Sequence, residues 1–168
     1  RFVELVVNGF YQGIYVLIEK IKVDKNRVAI ASLNPVDISG EELTGGYLLR
    51  VDKLDANDYP GWQAIPNPQL AGASLITFQY HDPKGEDLMV VQQNYIKKYM
   101  ADFQSSLTIS GFENSVTGYR HYLDVPAAID FMLVNEIGKN IDGYSFSTYL
   151  YKDKDKQDQL GKLVMGPL

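Results

Sequence analysis

The apolar residues at the start of the chain predict a β-hairpin. Residues 2–7 are rich in β-branched and apolar side chains, which favour a strand. Asn8-Gly9 follows, and this dipeptide forms tight hairpin turns because both residues tolerate a positive φ. Residues 14–18 are the second strand. Since nearly all of them are hydrophobic, we expect both faces of this strand to be covered.

The remainder of the first half mixes short strands with polar loops. Apolar runs predict three further strands, at residues 28–31, 47–51 and 75–80. A charged stretch predicts a loop at residues 22–27, and polar stretches with Gly and Pro predict loops at residues 34–46 and 52–72. Pro60, Pro66 and Pro68 exclude a helix from the last of these loops, because proline lacks the backbone N–H that a helix needs.

A change of hydrophobic period predicts two helices in the second half. In the first, apolar residues recur at steps of three and four: Leu88, Val91, Tyr95, Ile96, Tyr99, Met100, Phe103 and Leu107. In the second, Asp124 is a good N-cap, Pro126 fits the first turn, and Gly138 and Asn140 end the helix. We expect its buried face to consist of four residues: Ile129, Met132, Leu133 and Ile137.

Two last strands are predicted at residues 145–151 and 163–165, with a charged turn between them. The order of elements is therefore antiparallel strands, then a helical subregion, then a small hairpin, which is typical of an α+β fold with a segregated sheet. We expect one domain over residues 1–168, with a strand-rich part at residues 1–80 and a helical part at residues 81–168.

Composition narrows the possible functions. The chain has 168 residues, 45% of them hydrophobic, and a net charge of -5, which argues against a nucleic-acid partner. The mixed charged runs at residues 20–27 and 152–156 are interpreted as solvated loops. The chain has no cysteine, so thiolate chemistry is excluded, and no apolar run is long enough to span a membrane. Because Arg1 already borders a strand, we expect the chain to be a fragment.

The best candidate for chemistry is the segment of residues 139–144, which follows the second helix and precedes a hairpin. Asp142 there is a carboxylate on a loop held by rigid elements, which is a common place for catalysis. An Asp before a Gly is also a common turn residue, and both interpretations stay open. Glu136, near the end of the helix, either takes part in chemistry or binds the backbone of the following loop. His81 and His121 have no neighbour at metal-ligand spacing.

Several segments together resemble the spore-coat CotH kinase family. They are residues 2–19 (FVELVVNGFYQGIYVLIE), residues 44–49 (TGGYLL), Asn135-Glu136, residues 140–144 (NIDGY) and the final MGPL. The resemblance covers most of the chain, and the first segment is the most specific. It implies an atypical protein-kinase-like fold that binds ATP and Mg²⁺ and transfers the γ-phosphoryl group to a hydroxyl of a protein substrate. It also implies export to the cell envelope or beyond.

The resemblance implies that the hinge, which contacts adenine through backbone groups, consists of Glu19, Lys20 and Ile21. Asp142 is the catalytic Asp that orients the acceptor hydroxyl. Ser147 stands five residues later, where protein kinases have an Asn that binds Mg²⁺. No residue of the chain matches the family's phosphate-binding Lys, its Glu partner or a metal-binding Asp. We therefore expect this fragment to be inactive by itself.

Two alternatives remain open at this stage. A pseudokinase or surface binding module would keep the fold without the chemistry, and Ser147 together with the tyrosine-rich composition favours it. A carbohydrate-binding domain would use Trp62 and Tyr59, although a packing role for Trp62 is the commoner one.

Overall fold

The computed structural model describes residues 1–54, 59–67, 75–157 and 159–166. Its elements follow in this order: β1 Phe2–Val7, β2 Phe10–Val16, α1 Gly40–Leu43, β3 Tyr47–Val51, β4 Trp62–Gln63, β5 Thr77–Asp82, a 3-10 turn at Gly85–Asp87, α2 Val90–Ser106, α3 Tyr119–Tyr122, α4 Val125–Gly138, β6 Thr148–Lys152 and β7 Leu163–Met165. Strands and helices are both present and the strands pair antiparallel, which confirms the α+β prediction.

The strands form a two-stranded sheet, β1-β2, and a five-stranded sheet with the order β4-β5-β3-β6-β7. Strand β3 is the centre of the larger sheet, and its Tyr47, Leu48 and Leu49 are almost completely buried. It pairs with β6 from Tyr47–Lys152 to Val51–Thr148, so two segments far apart in sequence meet along their whole length. The predicted strand at residues 47–51 is confirmed.

Helix α2 covers one face of this sheet. Ile96 and Met100 are fully buried in a common core with Tyr47 and Leu49, as the helical period predicted. Gln92 is buried as well, and its side-chain amide donates to the Asn34 carbonyl at 2.7 Å. Because a buried amide needs partners, this bond fixes the polar loop before α1 against the helix. The loop predicted at residues 34–46 thus contains the short helix α1.

The first hairpin is confirmed, with positive φ angles at Asn8 (52°) and Gly9 (82°). The prediction that both faces of its second strand are covered was wrong. Ile14 is 68% exposed and Ile18 is 76% exposed. The hairpin is a two-stranded sheet of its own, separate from the five-stranded sheet, and the helices of the core pack on the latter.

Helix α4 confirms the predicted ends but not the predicted face. The Asp124 carboxylate accepts a hydrogen bond from the Ala127 amide at 3.1 Å, and the helix ends at Gly138. Ile137 is 81% exposed, and Ile129, Met132 and Leu133 are exposed too, whereas Phe131 and Asn135 are buried. The helix is apolar on nearly every side, so its hydrophobic period does not select a face.

Three smaller predictions differ from the structure. Residues 28–31 form no strand, and Val28 makes only an isolated bridge with Val23. The proline-bearing loop contains the short strand β4, in which Trp62 packs on Phe78 and Tyr80, while Pro68 lies outside the described residues. Strand β6 begins three residues later than predicted, at Thr148. The packing of Trp62 supports its role in the core rather than in sugar binding.

Candidate functional site

The loop that carries Asp142 is fastened to α4 by Asn135. The side-chain amide of this buried residue donates to the Phe131 carbonyl at 2.9 Å, and its side-chain oxygen accepts from Asn140 at 2.8 Å. The backbone of Gly143 packs closely against the same oxygen: a Cβ at this position would lie only 2.3 Å from it. The loop therefore leaves the helix in a fixed direction. Asn135 was quoted only as part of the family resemblance, and its buried position reveals why the segment needs it.

Asp142 lies at the tip of this loop. Its backbone carbonyl accepts hydrogen bonds from the amides of Ser145 (3.2 Å) and Phe146 (2.9 Å), so it organises a turn, as one interpretation of its sequence context predicted. Its side chain is exposed, and within the described part of the chain the carboxylate makes no hydrogen bond or ion pair. The carboxylate is thus available to a hydroxyl or a cation from outside.

Backbone strain is concentrated in the same segment. Of the four non-glycine residues with positive φ in the described structure, three lie here: Lys139 (49°), Tyr144 (77°) and Ser147 (50°). Lys139 ends α4 in the left-handed conformation. The Tyr144 hydroxyl donates to a carboxylate oxygen of Glu136 at 3.1 Å, which ties the loop to the helix a second time. Strained non-glycine residues of this kind cluster at functional sites.

Ser147 faces a carboxylate that the sequence analysis missed. Its hydroxyl lies 3.4 Å from a side-chain oxygen of Asp52, which follows directly after β3. The other carboxylate oxygen of Asp52 accepts from the Lys53 amide at 2.8 Å. Because β3 and β6 pair, the residue after one strand and the residue before the other meet at the same edge of the sheet. An Asp immediately after a buried strand is the local pattern that could have indicated it.

The segment predicted to be the hinge is anchored to β5. The Ile21 carbonyl accepts a hydrogen bond from His81 Nε2 at 2.9 Å, and the Val23 amide donates to the Asp82 carboxylate at 3.3 Å. Glu19 forms an ion pair with Arg27 at 3.6 Å, and Lys20 is exposed. The backbone of this segment therefore runs along β5, while its charged side chains point to the surface.

Burial lowers the pKa of His81, although the hydrogen bond to the Ile21 carbonyl partly opposes this. His81 is consequently neutral at pH 7, with its proton on Nε2, and its ring meets the Tyr149 ring edge-to-face at 5.0 Å. Burial likewise raises the pKa of Tyr149. Both rings belong to the same face of the sheet as the predicted hinge.

A row of polar side chains crosses this face. Arg50 on β3 is the register partner of Gln79 on β5 and of Tyr149 on β6. Arg50 Nε donates to the side-chain oxygen of Gln79 at 2.6 Å, and Gln79 in turn donates to the Asp52 carbonyl at 2.6 Å. This row, which we call the polar row (Gln79, Arg50 and Tyr149), extends from His81 to the Asp52–Ser147 pair. The structure thus brings Ile21 and Ser147 to opposite ends of one polar sheet face.

The oxygen ligands at the Ser147 end are of the type that Mg²⁺ prefers. A protein usually holds Mg²⁺ with one or two carboxylates and leaves the remaining positions to water and phosphate oxygens. Asp52 and Ser147 supply one carboxylate and one hydroxyl. The described residues include no group of three or more His, Cys, Asp and Glu that could hold a metal ion without such help. The pair therefore supplies oxygen atoms of the kind that bind Mg²⁺.

No described helix is both long and apolar enough to cross a bilayer. No curated protein and no solved structure matches the chain significantly. The sequence profile of the family described as CotH kinase protein matches residues 1–167, which is nearly the entire chain. The chain therefore belongs to the CotH kinase family.

Proposed function

We propose that this chain carries the adenine-binding hinge and the catalytic loop of an ATP-dependent, protein-kinase-like CotH enzyme. The observation that supports the proposal is the polar sheet face that joins Ile21, through His81 and the polar row, to Asp52 and Ser147. The metal that accompanies a nucleotide needs oxygen ligands, and this face ends in two of them, the Asp52 carboxylate and the Ser147 hydroxyl. Membership of the CotH kinase family agrees with it.

In this proposal each residue has a separate role. The backbone of residues 19–21 contacts the adenine, and Asp52 with Ser147 holds the Mg²⁺ that accompanies the phosphates. The metal supplies neutralisation of phosphate charge. Asp142, exposed at the loop tip, accepts a hydrogen bond from the hydroxyl of a protein substrate and orients it for in-line attack. The turn made by its own backbone fixes where that carboxylate stands.

The chain by itself offers fewer cationic groups to the γ-phosphate than a protein kinase does. No residue in it matches the phosphate-binding Lys or the second metal-binding Asp of the family. We therefore expect the purified 168-residue chain to bind Mg²⁺–ATP weakly and to transfer no phosphate. Phosphate transfer by this chain alone would contradict that expectation.

Binding of ATP is the decisive measurement. Amide chemical shifts of the chain are followed by NMR during titration with ATP, first with Mg²⁺ and then with a chelator. Changes that are confined to residues 19–21 and to the Asp52–Ser147 edge, and that grow with Mg²⁺, support the proposal. Asp142→Asn is expected to leave the affinity unchanged, because Asp142 acts on the acceptor and not on the nucleotide.

The alternative is a pseudokinase or binding module, and one observation favours it. Ser147 offers a hydroxyl where kinases have the stronger amide oxygen ligand, and its own hydroxyl is directed to Asp52. In such a protein ATP would produce the same shifts with and without Mg²⁺, or no shifts at all. The titration with a chelator therefore separates the two functions.

A further inference from the structure

A second polar surface lies at the far end of β6 from Ser147. It is a cavity of about 390 Å³ between the region of α3 and the connection from β6 to β7. Its wall includes the basic side chains of Arg120, His121, Lys156 and Lys162, and we call it the cationic cavity. The chain as a whole has a net charge of -5, so this cluster of basic residues contrasts with the acidic composition of the protein.

Three other charged residues of the wall are already engaged. Lys154 reaches away from the cavity to Asp37 and Glu42, with which it forms ion pairs. Asp153 accepts hydrogen bonds from the amides of Ala31 (2.8 Å) and Lys154 (2.9 Å), and Asp124 caps α4. These carboxylates therefore serve the fold, and each has one oxygen fixed by backbone groups.

Lys156 and Lys162 are exposed, and in the described structure neither makes an ion pair or a side-chain hydrogen bond. Arg120 stacks on its neighbour Tyr119, with the guanidinium carbon 5.9 Å from the ring centroid, and this stacking leaves most of its N–H donors free to bind an anion. The apolar parts of Leu160 and Val164 complete the wall. The cavity thus combines available cations with a small apolar surface.

We propose that the cationic cavity binds an acidic segment of a protein partner, with Asp or Glu carboxylates contacting Arg120, Lys156 and Lys162. A peptide fits better than a nucleic acid. The net negative charge of the protein repels a long polyanion, whereas the basic residues of the cavity attract a short acidic peptide. The volume of this open cavity accommodates one or two carboxylate side chains, and the apolar part of its wall suits their methylene groups.

The partner's role rests on the function proposed above. The cavity and Ser147 are separated by the five residues of β6, or roughly 17 Å at about 3.3 Å per residue. An extended peptide covers this distance with about five residues. Asp142, which orients the acceptor hydroxyl in that proposal, lies in the same loop segment as Ser147, so a protein substrate that spans this distance would carry acidic residues several positions from the hydroxyl that receives the phosphate. The cavity is then a docking site for substrate.

The test is peptide binding without nucleotide, so that its failure is distinct from failure of the kinase proposal. A fluorescein-labelled hexaglutamate peptide is titrated with the 168-residue chain in low salt, and anisotropy is measured. The double variant Lys156→Glu/Lys162→Glu is expected to weaken binding about tenfold or more, since attraction becomes repulsion at two contacts. The control Lys25→Glu/Lys98→Glu has the same total charge, changes exposed lysines elsewhere, and is expected to bind within about twofold of the original chain.

Several results would overturn the proposal. One is the absence of binding by the unchanged chain, and another is equal weakening by both double variants, which would indicate a general charge effect. Inorganic phosphate that displaces the peptide at equal concentration would identify the cavity as a site for a free anion. Circular dichroism of all variants confirms that each is folded. The double variant Lys156→Gln/Lys162→Gln shows whether charge is responsible, and we expect it to weaken peptide binding to an intermediate degree.

Discussion

The hydroxyl of Ser147 donates a hydrogen bond of 3.4 Å to the carboxylate of Asp52, a residue 95 positions earlier in the chain. The two meet because Val51 and Thr148 are paired across β3 and β6. Each therefore lies one residue beyond the last pair of the ladder, at the same edge. The central strand of the sheet thus supplies a carboxylate to the loop that the family resemblance identifies as catalytic.

Asp52→Asn tests whether this carboxylate serves a metal. The substitution keeps the size and the oxygen but removes the charge, so we expect the Mg²⁺-dependent part of ATP binding to weaken about tenfold or more. Binding measured with a chelator should be unchanged. Asp130→Asn, on the exposed surface of α4, is the matched control. Equal losses in both variants, as measured by calorimetric titration, would remove Asp52 from the site.

Ser147→Asn changes the other member of the pair, and its expected effect on Mg²⁺-dependent ATP binding is opposite to that of Asp52→Asn. The φ of 50° at this residue is in the left-handed region, which Asn tolerates better than other side chains do. An amide oxygen is also the ligand that protein kinases use here. We expect the variant to remain folded and to strengthen Mg²⁺-dependent ATP binding, whereas Ser147→Ala weakens it. A weaker affinity in the Asn variant would favour the pseudokinase alternative.

The sequence predicted those parts of the fold that depend on local chemistry. The Asn8-Gly9 turn, the Asp124 cap and the period of α2 each act within a few residues, and each is confirmed. The buried face of α4 was wrong because it depends on what packs against the helix, and Ile137 is as apolar as a core residue while lying on the surface.

The same reasoning applies to the candidate site. Asp142 was identified from its place on a loop after the second helix, and Ser147 from its spacing of five residues from Asp142 in the family resemblance. Asp52 and the polar row were not, because their proximity to Ser147 follows from the pairing of β3 with β6. No pattern within either strand contains that pairing.

Gly143→Ala tests the fixed direction of the loop that carries Asp142. A methyl group here would lie 2.3 Å from the Asn135 side-chain oxygen and 3.0 Å from the Asn140 carbonyl, so the loop must shift. We expect the free energy of unfolding to fall by about 1–3 kcal/mol. Gly138→Ala is the control, because its methyl group meets nothing within 4 Å and a helical Ala is favoured. Urea denaturation measures both, and equal stabilities would contradict the contact between Gly143 and Asn135.

Alkaline pH should unfold the protein through its buried tyrosines. Burial raises the pKa of Tyr47, Tyr80, Tyr95 and Tyr99 above the ordinary value of 10.0. Above pH 10.0 the unfolded chain loses these protons while the folded chain retains them, so stability falls as pH rises. The folded state should therefore be lost steeply above this pH, and the near-ultraviolet tyrosinate absorbance should rise together with unfolding. Tyr95→Phe should reduce the slope, whereas Tyr11→Phe in the exposed hairpin should not.

Lys152 is the most buried charge in the described structure, with no exposed surface. Its ammonium donates to the Thr44 carbonyl (2.5 Å) and to the Asp155 carboxylate (2.9 Å), and it lies 4.8 Å from the centre of the Tyr99 ring. Burial lowers the pKa of Lys152, and the bond to Asp155 partly restores it.

Lys152→Met keeps the length and the packing of this side chain but removes the donor from three acceptors, which are the carbonyls of Thr44 and Asp153 and the Asp155 carboxylate. We expect a loss of about 2 kcal/mol in the free energy of unfolding, the usual cost of removing hydrogen bonds to a buried charged group. Lys98→Met, which removes a surface pair with Asp102 on α2, should leave stability unchanged within the error of urea denaturation. A Lys152→Met variant as stable as the original would mean that the desolvation of the ammonium offsets all of its contacts, and that the other bonds of the turn after β6, such as that from the Gly161 amide to Asp155, are sufficient to hold it.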